Sequence, residues 1–244
     1  MNKAAALVAE IQDYCRAHAD PVKAKKWARY FKEGYDPWGI IDRDHEFYTT
    51  RQADWLERYR GLGIKGFLQA GEMLFASGKY EEGAMAIRFL AAHRDDLDAK
   101  SVAGLTAWFA AGVANWAHTD VLCGEVLSPL LVAGAIGMND LAPWRDSPHR
   151  FQRRASVVAM LGLVKKGAGT KKLVDYARPL MLDPERVVQQ GVGWFLREVW
   201  KKDPAPVEAL LLKFKDTAPR LIYQYATEKM KPAEKARFKA AKKK

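Results

Sequence analysis

Cysteine is almost missing from this chain: there are two in 244 residues, Cys15 and Cys123, more than a hundred positions apart. Such a pair gives no disulfide framework and suits a reducing compartment. Long apolar runs are missing too, since no stretch approaches the roughly 20 uninterrupted apolar residues of a membrane span. The start, MNKAAALVAEIQDYCRAH, carries charge within its first dozen residues and reads as an amphipathic helix, not a signal peptide. A cytoplasmic protein without membrane association is expected. Histidine is sparse: His18, His45, His93, His118 and His149 form no HExxH, no CxxC accompanies them, and His118 and Cys123 are five apart, off a common helical face. No metal site is expected, and no cofactor. Neither a GxSxG elbow nor a P-loop occurs, so nucleophilic catalysis by Ser or Cys has no motif behind it. Gly61 to Gly66, GLGIKG, formally matches a dinucleotide fingerprint, but that motif works only between a strand and a helix. The preceding DWLERYR is polar and helical in character, so these are loop glycines.

What the chain does have is apolar content and positive charge. About half of the residues are apolar, enough for a sizeable core. Lys plus Arg number 40 against 29 Asp plus Glu, a formal net charge of +11. Four lysines in Lys239 to Lys244 supply part of that surplus, and without them the body still carries +7, from 11 − 4. A basic body points to a polyanionic partner, with nucleic acid ahead of a membrane surface.

Strand-like alternation is almost absent and helical spacing runs nearly throughout. Residues 3 to 18 place Leu7, Ile11, Tyr14 and Cys15 at helical intervals. Asp20-Pro21 predicts an N-cap with proline in the first turn of a helix running to about Phe31. GYDPWGI, residues 34 to 40, breaks that helix, and another follows Thr49-Thr50. Helices are predicted over 66–77, 80–93, 98–112 and 116–134, then a loop from about Asn139 to Pro148. A helix is predicted to open at Ser147-Pro148 and run to about Lys166, and Gly167 to Thr170 separate it from one that ends near Arg178-Pro179. Asp183-Pro184 caps the next, and Asp203-Pro204 and Thr217 to Pro219 mark two more starts. Helix pairs with short breaks, spaced roughly 35 to 40 residues apart, predict an all-α, HEAT-like repeat solenoid of antiparallel helix pairs with a concave basic face. Residues 1–232 are assigned to that single domain and 233–244 to a basic C-terminal tail. A basic concave surface suits a duplex backbone.

Three features could carry chemistry. The first is GVANWAHTDVLCGEVLSP, residues 112 to 129, where Asn115 can cap a helix that sets Trp116 and Asp120 four apart on one face. An aromatic face beside a carboxylate can cup a positive charge, although Trp is more often core and Asp more often solvated surface. The second is RFQRRASVVAML, residues 150 to 161. Arg154 falls on the stripe of Val157, Val158 and Leu161, so its stem should lie on apolar neighbours while its head reaches out to a phosphate. Arg153, one position round, reads first as an interface arginine and is kept with Arg197 as a secondary DNA contact. The third is RVVQQGVGWFLREVWKK, with a seam of Val188, Val192, Phe195 and Val199. Trp194 falls beside that seam, and Gly191 is expected to leave a gap where another molecule could approach, although dense helix packing also uses glycine.

The spacing of NWAHTD, QRRASVV and QQGVGWFLREVWKKDP resembles the DNA alkylation repair glycosylases of the AlkD type, which are solenoids of HEAT-like helix pairs. YFKEGYDPWGI resembles that family's amino-terminal motif and TAPRLIYQYATEKM its last helices, so the resemblance spans most of residues 24 to 230. The string GWFLREVWKKDP is its most specific part, because helix formation alone does not demand it. The resemblance implies that Trp116 and Trp194 contact the lesion nucleotide, that Asp120 is the catalytic carboxylate, and that Arg154 holds backbone beside the lesion. Ala117 stands where the family often has an acidic residue, and His118 also departs from the pattern.

Hydrolysis of the N-glycosidic bond of cationic alkylated purines, 3-methyladenine or 7-methylguanine in duplex DNA, is therefore the expected activity. It would belong to a monomer acting as a monofunctional glycosylase, since no lysine is marked as a Schiff-base nucleophile. A non-catalytic HEAT-like module that binds nucleic acid, and a protein-interaction scaffold, are the two other readings.

Overall fold

The computed structural model describes residues 2–40, 42 and 44–241. The last three lysines of the basic tail, Lys242 to Lys244, lie outside the described residues. Among those described, the only extended pairing is one isolated bridge between Asp36 and Lys79, and no helix is long and apolar enough to cross a membrane. The fold is all-α and solenoid-like. The chain divides into two compact units, residues 1–130 and 131–244.

The first unit begins with α1 (Lys3–Ala17) and α2 (Pro21–Ala28), followed by α3 (Thr50–Arg58), α4 (Gly63–Ala76) and α5 (Tyr80–Ala92). Asn2 caps α1, and Asp20 caps α2 by accepting from the amides of Val22 and Lys23. α2 stops at Ala28, three residues short of the sequence expectation. α4 is the centre of this unit and packs on α1 and α5 through Phe67, Ala70, Leu74 and Phe75, all buried. The segment expected as one helix over 98–112 divides into α6 (Ala99–Gly104) and α7 (Thr106–Ala111). Trp108 of α7 fills the space over Gly71, where a Cβ would come within 2.1 Å of the indole. Its Nε1–H donates to the Leu68 carbonyl at 2.8 Å. α8 (Trp116–Leu122) follows, then a π-type turn, Cys123–Leu127, and α9 (Ser128–Ala133). The extra residue of a π turn shifts the register of side chains beyond it, so the expected single helix over 116–134 has two faces instead of one.

In the second unit the expected loop from Asn139 to Pro148 is wound into α10 (Met138–Leu141) and a 3₁₀ turn, Ala142–Asp146. Trp144 in that turn is buried, which supplies the apolar anchor a solvent loop lacks. α11 (Arg150–Val158) and α12 (Leu161–Lys166) replace the one helix expected here, and α13 (Thr170–Ala177) follows. α14 (Arg186–Trp200) is the unit's central helix, packed against α11, α15 (Pro204–Phe214) and α16 (Arg220–Ala226). Asp183 does not cap α14; the N-cap is Glu185. The Asp183 carboxylate instead accepts from the Glu185 amide at 2.9 Å and from Arg153. The last helix among the described residues is α17 (Pro232–Ala236). Beyond it Phe238 is buried and Arg237 donates to Glu208 at 2.8 Å.

Candidate functional site

Asn115 caps α8 as expected. Its Oδ1 accepts from the His118 amide at 2.8 Å, while its Nδ2 donates to the Gly34 carbonyl at 2.9 Å. The cap therefore also ties α8 to the loop after α2. From this start Trp116 and Asp120 stand one turn apart on α8. The indole is 44% exposed and Asp120 is half-buried, so the pair faces outward. A Trp this open on a helix whose Ala117, His118, Thr119 and Leu122 are all buried is not a core residue.

One face of the indole is nonetheless covered. Phe31 stacks on Trp116 with ring centroids 5.3 Å apart and 17° between planes. Phe31 itself lies flat on Tyr35 at 4.0 Å, and Tyr80 meets both edge-on. Offset stacking of this kind adds roughly 0.5 to 1.5 kcal/mol per pair beyond area burial. It fixes the plane of Trp116 without using its other face. Phe31 and Tyr35 were missed in the sequence, although the aromatic density of RYFKEGY is the signal that could have found them.

His118 sits at the far end of the same cluster and is buried. Its ring stacks on Tyr80 at 4.5 Å and meets Phe75 edge-on. Asn115 Nδ2 lies 3.0 Å from Nδ1, and Nε2 lies 2.8 Å from the Tyr80 carbonyl. Both distances are satisfied together if Nδ1 accepts from the asparagine and Nε2–H donates to the carbonyl. Burial pushes the imidazole pKa down to about 4, so the ring is neutral near pH 7. Room for it comes from Gly83 of α5, where a Cβ would approach His118 Cε1 to 2.8 Å. His118 is a structural lock between α8 and α5.

The loop that presents Phe31 and Tyr35 is held by two buried glutamates at the start of α5. Glu81 accepts from the amides of Trp38, Gly39 and Ile40 at 2.7, 2.8 and 3.0 Å. Glu82 accepts from the Trp38 indole at 2.9 Å and from Gln12 at 3.0 Å. Adjacent acids in a first helical turn read as solvated, so nothing in the local pattern marks this clamp.

In the second unit, α11 and α14 hold the remaining candidates. Arg154 does not reach into solvent as expected: it is only 5% exposed, with Nη1 donating to the Val187 carbonyl at 2.7 Å. Gly191 does not leave an open gap either. A Cβ there would meet Arg154 Cγ at 3.2 Å and Val158 Cγ2 at 3.3 Å, so the notch is filled by the arginine stem. Trp194, one turn further on, is half-buried. Arg153 forms a two-point ion pair with Asp183 at 2.6 and 3.2 Å and also donates to the Ser147 carbonyl at 2.8 Å. Arg197 pairs with Glu198 at 3.0 Å and with Glu228. Both secondary DNA-contact candidates are thus engaged by carboxylates of their own unit.

A helical-repeat protein with an outward aromatic–carboxylate pair on a capped helix is the class that fold and geometry define. The model of the family described as DNA alkylation repair enzyme matches residues 11–230. The chain belongs to that family; its role lies in DNA repair, and DNA is its substrate. Among solved structures it is similar to one described as a predicted DNA alkylation repair enzyme from Enterococcus faecalis, with a TM-score of 0.72 and 16% identity over 88% of this chain and 97% of that one. At that identity the likeness speaks for the fold. No curated protein matches.

Proposed function

We propose that this protein is a monofunctional DNA glycosylase that releases cationic alkylated purines, 3-methyladenine and 7-methylguanine, from duplex DNA. The observation that carries the reading is the Trp116–Asp120 pair one turn apart on α8, the indole exposed and the carboxylate half-buried, in a chain of the DNA alkylation repair family. An N3- or N7-alkylated purine is already positively charged and leaves with little help from a general acid. What builds up is an oxocarbenium-like sugar, as in glycoside cleavage generally. The Asp120 carboxylate is suited to stabilise that cation and to orient the attacking water. The free face of Trp116 is suited to pack on the sugar, with cation–π attraction of ~0.5 to 2 kcal/mol. Trp194 as the second aromatic is a role carried from the family resemblance, as is Arg154 as a phosphate contact, for which the buried guanidinium would have to come out of its notch in α14. Asp120 and Trp116 act on the sugar and no named group protonates the base, so neutral lesions, which leave poorly without a general acid, are expected to be poor substrates.

The direct test is release of 7-methylguanine or 3-methyladenine from methylated duplex by the wild type and by Asp120→Ala. Equal release by both removes Asp120 from the mechanism. No release by either leaves a non-catalytic nucleic-acid-binding module as the better reading.

A further inference from the structure

α2 has no buried residue at all. A short helix in water is held by its buried apolar face, and this one buries none of its apolar residues, leaving Val22 and Trp27 exposed. What holds it is an anchor at each end. At the start, the Asp20 amide donates to the Trp38 carbonyl at 2.8 Å, and the Asp20 carbonyl oxygen lies so close to Gly39 that a Cβ there would sit 2.1 Å from it. Gly39 has a φ of +97°, which favours glycine independently of the contact. Just past the end, Phe31 stacks on Tyr35 and Trp116. Between these anchors the helix is exposed.

That exposed stretch has one sign of charge. From Pro21 to Lys32 there is no acid, while Lys23, Lys25, Lys26, Arg29 and Lys32 supply five cations. Lys23 pairs at 3.4 Å with the N-cap Asp20. Lys23 and Lys26 stand three apart, and Lys25 and Arg29 four apart, spacings at which like charges repel by a few tenths of a kcal/mol each. The segment thus combines low apolar support with internal repulsion, and a polyanion alongside it would relieve that repulsion.

We propose that α2 and its continuation to Lys32 form a clamp for the phosphodiester backbone of duplex DNA. It would grip backbone next to the Trp116 face through point charges, contributing affinity and not chemistry. DNA as the partner follows from the family; only the pairing of this clamp with catalysis at Trp116 rests on the proposed glycosylase reading.

The test compares two triple variants with the wild type in binding a labelled, unmodified ~20-bp duplex across about 50 to 200 mM salt. One variant is Lys23→Gln, Lys25→Gln, Lys26→Gln. The other, of equal charge change, is Lys100→Gln, Lys213→Gln, Lys231→Gln, all three being exposed positions. Thermal melts confirm that both are folded. The α2 variant is expected to weaken binding at least about tenfold at the lowest salt and to flatten the log–log salt slope by about 2 to 3, near one for each phosphate that is no longer neutralised. The control should shift far less. Equal effects of the two variants would mean that net charge alone matters, and no effect of the α2 variant would mean that the arm does not touch DNA; either overturns the clamp. Tighter wild-type binding to a duplex RNA of the same sequence would reassign the surface to RNA. Because the duplex carries no lesion, the outcome is independent of whether methylated DNA releases a base.

Discussion

α8 in the first unit and the α11–α14 pair in the second each present a candidate functional side chain, by opposite means. On α8 the candidate stands outside: Trp116 is exposed, and order comes from behind through Phe31, Tyr80, the Asn115 cap and the neutral His118. On α11 the functional candidate is itself the buried element. Arg154 is threaded through a notch that Gly191 leaves in α14 and is fixed by a main-chain carbonyl. An exposed aromatic can be held by a cluster without losing its outer face. A guanidinium can be oriented only by taking some of its own donors. Substitutions near α8 should therefore divide between chemistry and scaffold, whereas those around Arg154 should affect both at once.

The largest effect that would break this comparison lies at Asp120. Asp120→Asn keeps shape and removes the charge, and loss of one aimed electrostatic group typically costs 10²- to 10³-fold, roughly 3 to 4 kcal/mol. Single-turnover release of 7-methylguanine should fall by that factor while the unfolding midpoint stays put. A fall in stability of similar size would place Asp120 in the scaffold along with its helix.

His118 tests the scaffold half of α8. Its pKa is lowered from the ordinary 6.5 to about 4, so the folded state prefers the neutral ring. Stability from this preference is fully present above pH 6.5 and is lost as pH falls toward 4, where the unfolded chain takes up the proton first. The shift is worth about 3 kcal/mol. Urea unfolding at pH 7 and pH 4 should show the wild type losing about that much more than His118→Gln, whose side chain can still donate to the Tyr80 carbonyl. Parallel losses would mean that the imidazole is not what locks α8 to α5.

In the second unit the matching test uses two glycines of one helix. A Cβ on Gly193 would come within 2.6 Å of Tyr225 Cβ and 2.8 Å of the Ile222 carbonyl oxygen. Backbone cannot yield as a flexible side chain does, so Gly193→Ala should cost about 1 to 3 kcal/mol. At Gly191 the nearest atoms stand at 3.2 to 3.5 Å and belong to side chains, and alanine gains up to ~1 kcal/mol of helix propensity over glycine. Gly191→Ala should therefore melt near the wild type while displacing Arg154. If the two variants melt alike, the notch does not have the specific shape described.

Much of the fold was legible because helix breaks are written in local chemistry. Asp20-Pro21 and Asn115 are caps in fact as in expectation. What failed were features settled by tertiary packing. Buried Trp144 winds a Pro- and Asp-rich stretch into turns, and a π turn divides an unbroken apolar pattern after Leu122. Around the candidate site, Trp116 and Asp120 could be found from spacing on one helix. The cover supplied by Phe31 lies 85 positions away in sequence, and no periodicity reports such a contact. Arg153 shows the reverse: its position on the helix says nothing of Asp183, thirty residues on, which holds it.

The smallest effect, and the finest test, is at Phe31. Leucine there keeps an apolar contact with Trp116 but removes a stacked ring 5.3 Å away and another flat against Tyr35. Each aromatic pair is worth roughly 0.5 to 1.5 kcal/mol, and part of that is kept by the new side chain. Phe31→Leu is expected to slow single-turnover release by a few-fold, up to about tenfold, with little change in binding to unmodified duplex. That pattern would mean that Phe31 sets the angle of Trp116 and does not hold DNA itself. Equal losses in binding and rate would instead make Phe31 part of the DNA-contact surface that begins with α2, and α8 would then present two aromatics in place of one backed by another.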